Sequence, residues 1–330
     1  PGRTALRDLL RDLKCARSLA QHGGGGVSLE GVMVGSLGDG LDPDGYDVIH
    51  AHFGPIGNAF AFLAAESAAR FVVSFYGYDA SEFLDNHPAR YRGLFNRADV
   101  VTVLSEEMRG RIINAGCPAS KIRIMPLPID LEKFQFQARA VPKDGPIRLL
   151  SVARLVEKKG IEYAIDAVAG IADEYDVEYI VAGEGPLRDD LEKHAEQRDI
   201  SEIVDFRGLV DSDEVTCQMA RSHLLLLPSV TARSGDREGT PTVLLEGQAV
   251  GLPIVSTRHA GIPEIVADGE AGYLVPERDV EELRAALRRL LDRPDDWPDM
   301  GRSGRTYVQR KHAVDVVSND LIETYGLDAD

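Results

Sequence analysis

Short runs of continuous apolar residues alternate with amphipathic stretches along almost the whole chain. This alternation restricts the fold more than any other feature. The runs Asp47–His52, Phe71–Phe75, Val100–Leu104, Ile122–Met125, Ile147–Val152, Glu178–Ala182, Val204–Phe206, Leu224–Leu227 and Pro253–Ser256 read as strands. Most are apolar at consecutive rather than alternate positions, as strands covered on both faces are. Between them, residues 56–69, 106–115, 160–173, 186–197, 212–221, 241–250 and 279–291 are helix candidates of ten or more residues. Such alternation predicts βαβ units and doubly wound parallel sheets, an α/β architecture.

A length of 330 residues accommodates two domains of ordinary size. A polar, Pro/Gly-punctuated stretch over 131–146 reads as the linker between them. It predicts an N-terminal domain over 1–140, a C-terminal domain over 141–300 and a closing segment 301–330. A last helix over 301–325 is expected to pack back across the linker. The N-terminal domain has only four clear strands and reads as incomplete.

No run of 18 apolar residues exists to span a membrane. The chain begins at Pro1, and no signal peptide precedes the first helix candidate, so a cytoplasmic protein is expected. Cys15, Cys117 and Cys217 are far apart and read as reduced thiols rather than metal ligands. The net charge of −17 argues against a nucleic-acid partner. It is built from 8 Lys and 29 Arg against 31 Asp and 23 Glu, which resembles salt-adapted proteins and equally suits an ordinary acidic one. Residues 3–20 form an amphipathic helix with Leu6, Leu9, Leu10 and Leu13 on one face. Its Arg-rich face suits peripheral contact with an anionic membrane surface, although Asp8 and Asp12 interrupt the stripe and favour a solvated face. Gly23–Gly26 lacks the strand and the Gly-Lys-Ser/Thr of a phosphate loop, so it reads as a flexible connection.

The segment Glu238-Gly-Thr-Pro-Thr-Val-Leu-Leu-Glu246 carries the most chemistry. It follows a strand and a Gly-rich loop, and Pro241 fits the first turn of a helix. The amides of Thr242 and Val243 then form an anion site, reinforced by the helix dipole. The Glu238 and Glu246 carboxylates suit sugar hydroxyls on either side of it. Arg154 and Lys159 follow strand Ile147–Val152 and would flank the crevice beyond the strand ends, where cations suit a diphosphate. Both read equally as surface cations. Gly185, in Gly183-Glu184-Gly185-Pro186, permits close backbone approach to a ligand. Arg207-Gly208-Leu209-Val210, after strand Val204–Phe206, forms either the wall of a base pocket or a turn.

As a set, Arg154…Lys159-Gly160, Gly183-Glu184-Gly185-Pro186, Arg207-Gly208-Leu209-Val210, Glu238…Glu246 and His259-Ala260-Gly261-Ile262-Pro263-Glu264 resemble the retaining glycosyltransferases of family GT4. The match covers residues 147–291. His50-Ala51-His52-Phe53-Gly54 and Ser74-Phe75-Tyr76-Gly77-Tyr78-Asp79 look like the exopolysaccharide, colanic-acid-type branch. The resemblance implies a GT-B fold, two Rossmann-like domains facing a cleft. It implies a nucleotide-sugar donor of unknown base, used as substrate, with no cofactor and no metal, and a glycan or lipid-linked acceptor. Arg154, Lys159 and the Thr242 and Val243 amides would bind the diphosphate, and Glu246 the ribose. Glu238 would contact the transferred sugar, Val210 would border the base and Gly185 would leave room for donor or acceptor. His52, Tyr76 and Asp79 would lie on the acceptor or sugar side. The Asp-x-Asp matches at Asp42–Asp44 and Asp211–Asp213 do not follow apolar strands, where a metal-dependent transferase carries its ligands.

Two departures from the family pattern stand out. Tyr76 occupies a position where relatives carry His, and a phenol does not titrate near neutrality. Nothing before Asp47 reads as the family's opening strand and glycine-rich loop. Two alternatives follow: another enzyme of the same fold, such as a sugar-nucleotide epimerase, or a truncated binding protein without turnover.

Overall fold

The computed structural model describes residues 45–327. The helix expected at 3–20, the loop Gly23–Gly26, Cys15, Asp42–Asp44 and most of the segment before Asp47 lie outside the described residues. The chain divides into two compact units, one ending at Met125 and resuming at Asn319, the other spanning Pro126–Ser318.

The first unit contains strands β1 (Val48–His52), β2 (Arg70–Ser74), β3 (Val100–Val103) and β4 (Ile122–Ile124). They form a parallel sheet in sequence order. Helices α1 (Gly54–Glu66), α2 (Glu82–Asn86), α3 (Arg92–Arg97) and α4 (Glu106–Asn114) connect them. The apolar runs of β2 and β3 place Phe71, Val73, Val101 and Val103 in one core with Leu94, Phe95 and Ile112 of the helices. Ser105 caps α4 by accepting the Met108 N–H, and Glu106 and Glu107 suit the positive end of that helix.

The second unit holds β5 (Ile147–Val152), β6 (Val177–Ala182), β7 (Val204–Gly208), β8 (Leu224–Leu227), β9 (Ile254–Thr257) and β10 (Gly272–Val275). All are parallel, in the order β10-β9-β8-β5-β6-β7. Helices α5 (Ile161–Ala169), α6 (Arg188–Gln197), α7 (Ser212–Arg221), α8 (Thr242–Val250), α9 (Ile262–Ile265), α10 (Val280–Leu291) and α11 (Trp297–Lys311) cover both faces. The continuous leucines of β8 divide by the two-residue strand period. Leu224 and Leu226 enter the core that holds Ile165, Leu287 and Trp297. Leu225 and Leu227 enter the opposite core, with Leu244, Leu245 and Ile262. Two buried layers on one strand are what its unbroken apolar run requires.

Three sequence expectations change. The stretch 126–140 groups with the second unit, so the division falls at 125/126 rather than 140/141. Buried Arg139 explains why: its guanidinium donates to Ala220 O (2.8 Å), Ser222 O (3.2 Å) and Val250 O (2.9 Å) at the ends of α7 and α8. Arg305 adds a bond to Phe134 O at 2.7 Å. The helix read over 301–325 is two, α11 and α12 (Val314–Tyr325), separated at His312. There the His312 ring bonds Leu127 O at 2.9 Å, and its carbonyl accepts the Ile129 N–H at 2.6 Å. The division between units falls inside α12. Strand β10 has no counterpart among the runs read from the sequence, because Gly272-Tyr-Leu-Val is short and opens on glycine.

Candidate donor site in the second unit

The winding of the second sheet reverses between β5 and β8. In an open parallel sheet, a crevice forms beyond the strand ends at such a reversal. A cavity of about 370 Å³ lies there, lined by Arg154, Lys159, Val210, Thr242, Val243 and Glu246 among others. Six residues that sequence reasoning assigned to a donor are therefore brought to one place.

Local geometry accounts for the Lys159 and Thr242–Glu246 positions. After β5 the chain makes a short turn, Glu157–Lys159, and ends it at Gly160 with φ 64. A Cβ at Gly160 would lie 1.9 Å from Pro228 O, so only glycine lets this turn press against the loop after β8. The approach carries Lys159 to Glu238, Nζ to Oε1 at 2.6 Å, with both side chains largely buried. Burial pushes the Glu238 carboxyl up, but the Lys159 ammonium outweighs this and holds it below the usual carboxylate range. Ser229 Oγ also donates to Glu238 Oε1, at 3.2 Å. Thus two residues expected to meet different parts of a donor are paired with each other.

Helix α8 opens at Thr242, and Pro241 is its N-cap with extended backbone rather than its first helical residue. Pro241 offers no side-chain cap, so first-turn amides remain for a ligand. Glu246 lies on the same helix at the cavity wall. Burial pushes its carboxyl above the usual range, against the opposing pull of Lys133.

Gly185 does not line the cavity; Gly183 and Glu184 do. A Cβ at Gly185 would sit 2.5 Å from Leu155 O, so packing against the chain after β5 is what requires glycine there. Asp211 is the N-cap of α7, its carboxylate accepting the Asp213 N–H (3.0 Å) and Glu214 N–H (2.9 Å). The Asp211–Asp213 match is thus occupied by a helix start. The exposed Leu209, beside Val210, also lines the cavity, as do Phe134, Ser212 and Val215, which escaped sequence reasoning. Nothing in their types distinguishes them until the strands are ordered.

His52, Tyr76 and Asp79 gather separately, at the strand ends of the first unit. The His52 ring stacks near Tyr76 (5.8 Å between centroids) and bonds its hydroxyl. His52 also stacks on His50 at 4.4 Å. His50 bonds Tyr325 OH at 2.8 Å and Ser74 Oγ at 2.7 Å. Asp79 is fully buried. Its carboxylate accepts the N–H groups of Gly54 (2.9 Å), Tyr76 (3.0 Å) and Gly77 (3.1 Å). Burial raises its carboxyl above the ordinary range, and those amides offset the shift in part. Asp79 therefore fastens the loop that presents Tyr76 through three backbone amides.

Known proteins match this arrangement. Residues 132–307 match the family described as Glycosyl transferases group 1, and residues 33–133 match Glycosyltransferase Family 4. The chain belongs to glycosyltransferase family GT4. Among relatives of this GT4 chain is WcaL of Salmonella typhimurium LT2, named as a colanic acid biosynthesis glycosyltransferase. The two are 38% identical over 73% of this chain and 60% of the relative. The amylovoran biosynthesis glycosyltransferase AmsK of Erwinia amylovora is 33% identical over 85% of this chain and 70% of its own length. Both belong to the exopolysaccharide branch by name, and the chain spans only about 60% of the first. The crystal structure of HepE from Anabaena, in complex with UDP, superposes with a TM-score of 0.76 at 19% identity, covering 89% of this chain and 82% of HepE. The fold is GT-B, with two Rossmann-like parallel sheets. Among the described residues, no helix is long and apolar enough to cross a membrane.

Proposed function

We propose that this GT4 chain catalyses metal-independent sugar transfer, with retention, from a nucleotide-sugar to a glycan or lipid-linked acceptor. The observation that carries the reading is the cavity at the sheet reversal, where two cations, first-turn amides and the half-buried Glu246 carboxylate converge. Arg154, Lys159 and the α8 amides neutralise the diphosphate as it departs. Glu246 accepts hydrogen bonds from the ribose, and Glu238 meets the transferred sugar. Val210 borders the base. The bond between the anomeric carbon and the phosphate oxygen breaks as the acceptor oxygen attacks from the same face. The acceptor's proton passes to the departing diphosphate. His52 and Tyr76 act on the acceptor or sugar side, held by Asp79. Metal independence is consistent with Asp211 being committed to a helix start.

Incubation with UDP-, GDP- and ADP-sugars tests this. Nucleoside diphosphate release that depends on an added glycan acceptor, persists in EDTA and gives a product of unchanged anomeric configuration supports it. Sugar interconversion without release favours an epimerase, and binding without turnover a non-catalytic protein. Tyr76→Phe should lower turnover while leaving nucleoside diphosphate binding intact.

A further inference from the structure

The loop 228–240 carries Glu238, and its fastening involves two residues that the proposed reaction leaves without a role. His259 follows β9 and is fully buried. Its Nε2 accepts the backbone N–H of Glu238 at 3.0 Å. Its Nδ1 lies 2.7 Å from Glu277 Oε1. An Nε2 that accepts must be unprotonated, so the ring proton is on Nδ1 and is donated to Glu277. Glu277 also accepts the Thr231 N–H at 2.7 Å and the Thr231 hydroxyl at 3.3 Å. The near and far ends of one loop are therefore tied to a single histidine–carboxylate pair. On the side of β5, Lys158 holds the same loop through Asp236 (2.9 Å) and Arg237 O (3.2 Å).

Lys159 alone could hold the Glu238 carboxylate only while no donor is bound, since a diphosphate competes for the same ammonium. The His259 tie acts on the backbone and survives that competition. A buried imidazole in a fixed tautomer is a stiff spacer of the kind that orients groups at reacting centres from behind.

We propose that Glu277 and His259 are positioning residues that hold Glu238 in place for the transferred sugar once the donor diphosphate has engaged Lys159. The inference rests on the donor reading of the cavity. Its signature is selective: the pair governs recognition of the sugar, not of the nucleotide.

The test is calorimetric titration of the wild type, His259→Phe, His259→Gln and Glu277→Gln. The ligands are UDP and UDP-glucose, GDP and GDP-mannose, and ADP and ADP-glucose. The quantity read is the gain in affinity of a nucleotide-sugar over its own diphosphate. In His259→Phe this gain should fall at least about tenfold, while diphosphate affinity changes by less than about twofold. His259→Gln restores an acceptor for the Glu238 N–H and should recover part of the gain. Glu277→Gln keeps the side-chain volume, should fall between the two, and decides the matter if His259→Phe does not fold. An unchanged gain in folded variants overturns the proposal. So does a parallel loss of both affinities with a lowered Tm, which would make the pair purely structural. A wild type that binds none of the six ligands overturns the donor reading itself, and the positioning role with it.

Discussion

The second sheet reverses its winding between β8 and β5, whereas the described strands of the first run β1-β2-β3-β4 without reversal. Both place polar side chains beyond the strand ends, but the consequences differ. In the second unit the reversal opens a cavity, and cations, amides and a carboxylate line it. In the first, His50, His52, Ser74, Tyr76 and Tyr325 bond to one another, and Asp79 is spent on backbone amides. A crevice needs helices that leave a strand end in opposite directions, and only one of the two described sheets supplies that.

The sharpest break of this contrast is loss of the cations. Arg154→Ala or Lys159→Ala should lower turnover at least about 10²-fold, because each would remove charge stabilisation from the departing diphosphate. Steady-state kinetics that find either variant fully active would return the cavity to the status of a surface groove.

Lys159→Ala has a second effect. It strands the buried Glu238 carboxylate, and breaking a buried pair costs about 3–5 kcal/mol. The double variant Lys159→Ala/Glu238→Gln should recover most of that stability without recovering turnover, as read by urea unfolding beside kinetics. Recovery of both would make the pair structural only.

Glu246→Gln should weaken donor binding by about tenfold to a hundredfold, the loss expected for hydrogen bonds to a charged group. Its carboxyl is held above the usual range by burial. Binding uses the ionised form, so donor affinity should fall on acidification at a higher pH than an exposed glutamate titrates. Folding responds with the opposite sign: the folded chain holds this proton more tightly, so the same acidification favours the fold. Titrations across pH in wild type and variant separate the two.

The smallest effect belongs to the first unit. Burial, aided by His52, lowers His50 from 6.5 to about 4. The unfolded chain then binds more protons between those values, so stability present above pH 6.5 is lost as pH falls towards 4. Hydrogen exchange at β1 and β2 should record the loss, and His50→Gln should flatten it. A loss unaffected by that substitution would mean that the cluster is not the source.

Much of this was legible beforehand because it is local. Leu224–Leu227 reads as a doubly covered strand, since four consecutive leucines have no solvent face. The Glu238–Glu246 segment reads as a helix start because Pro and the following β-branched residue set the backbone over a few bonds. Where distant partners decide, the reading stopped short. Arg139 draws the supposed linker onto the second unit through carbonyls more than 80 positions away. Gly185 invites a ligand on paper but is filled by Leu155. Glu277 carries no local signal, as its partners Thr231 and His259 belong to other loops.

The sequence by itself determined the α/β class, because periodicity, glycines and helix starts act over neighbouring residues, and its motifs carried the resemblance to family GT4. Only the tertiary structure decided that Lys159 rests on Glu238, that Asp79 is a fastener and that His259 stands behind the loop. Those are pairings across strands, and burial makes each group take whatever partner the packing brings within reach.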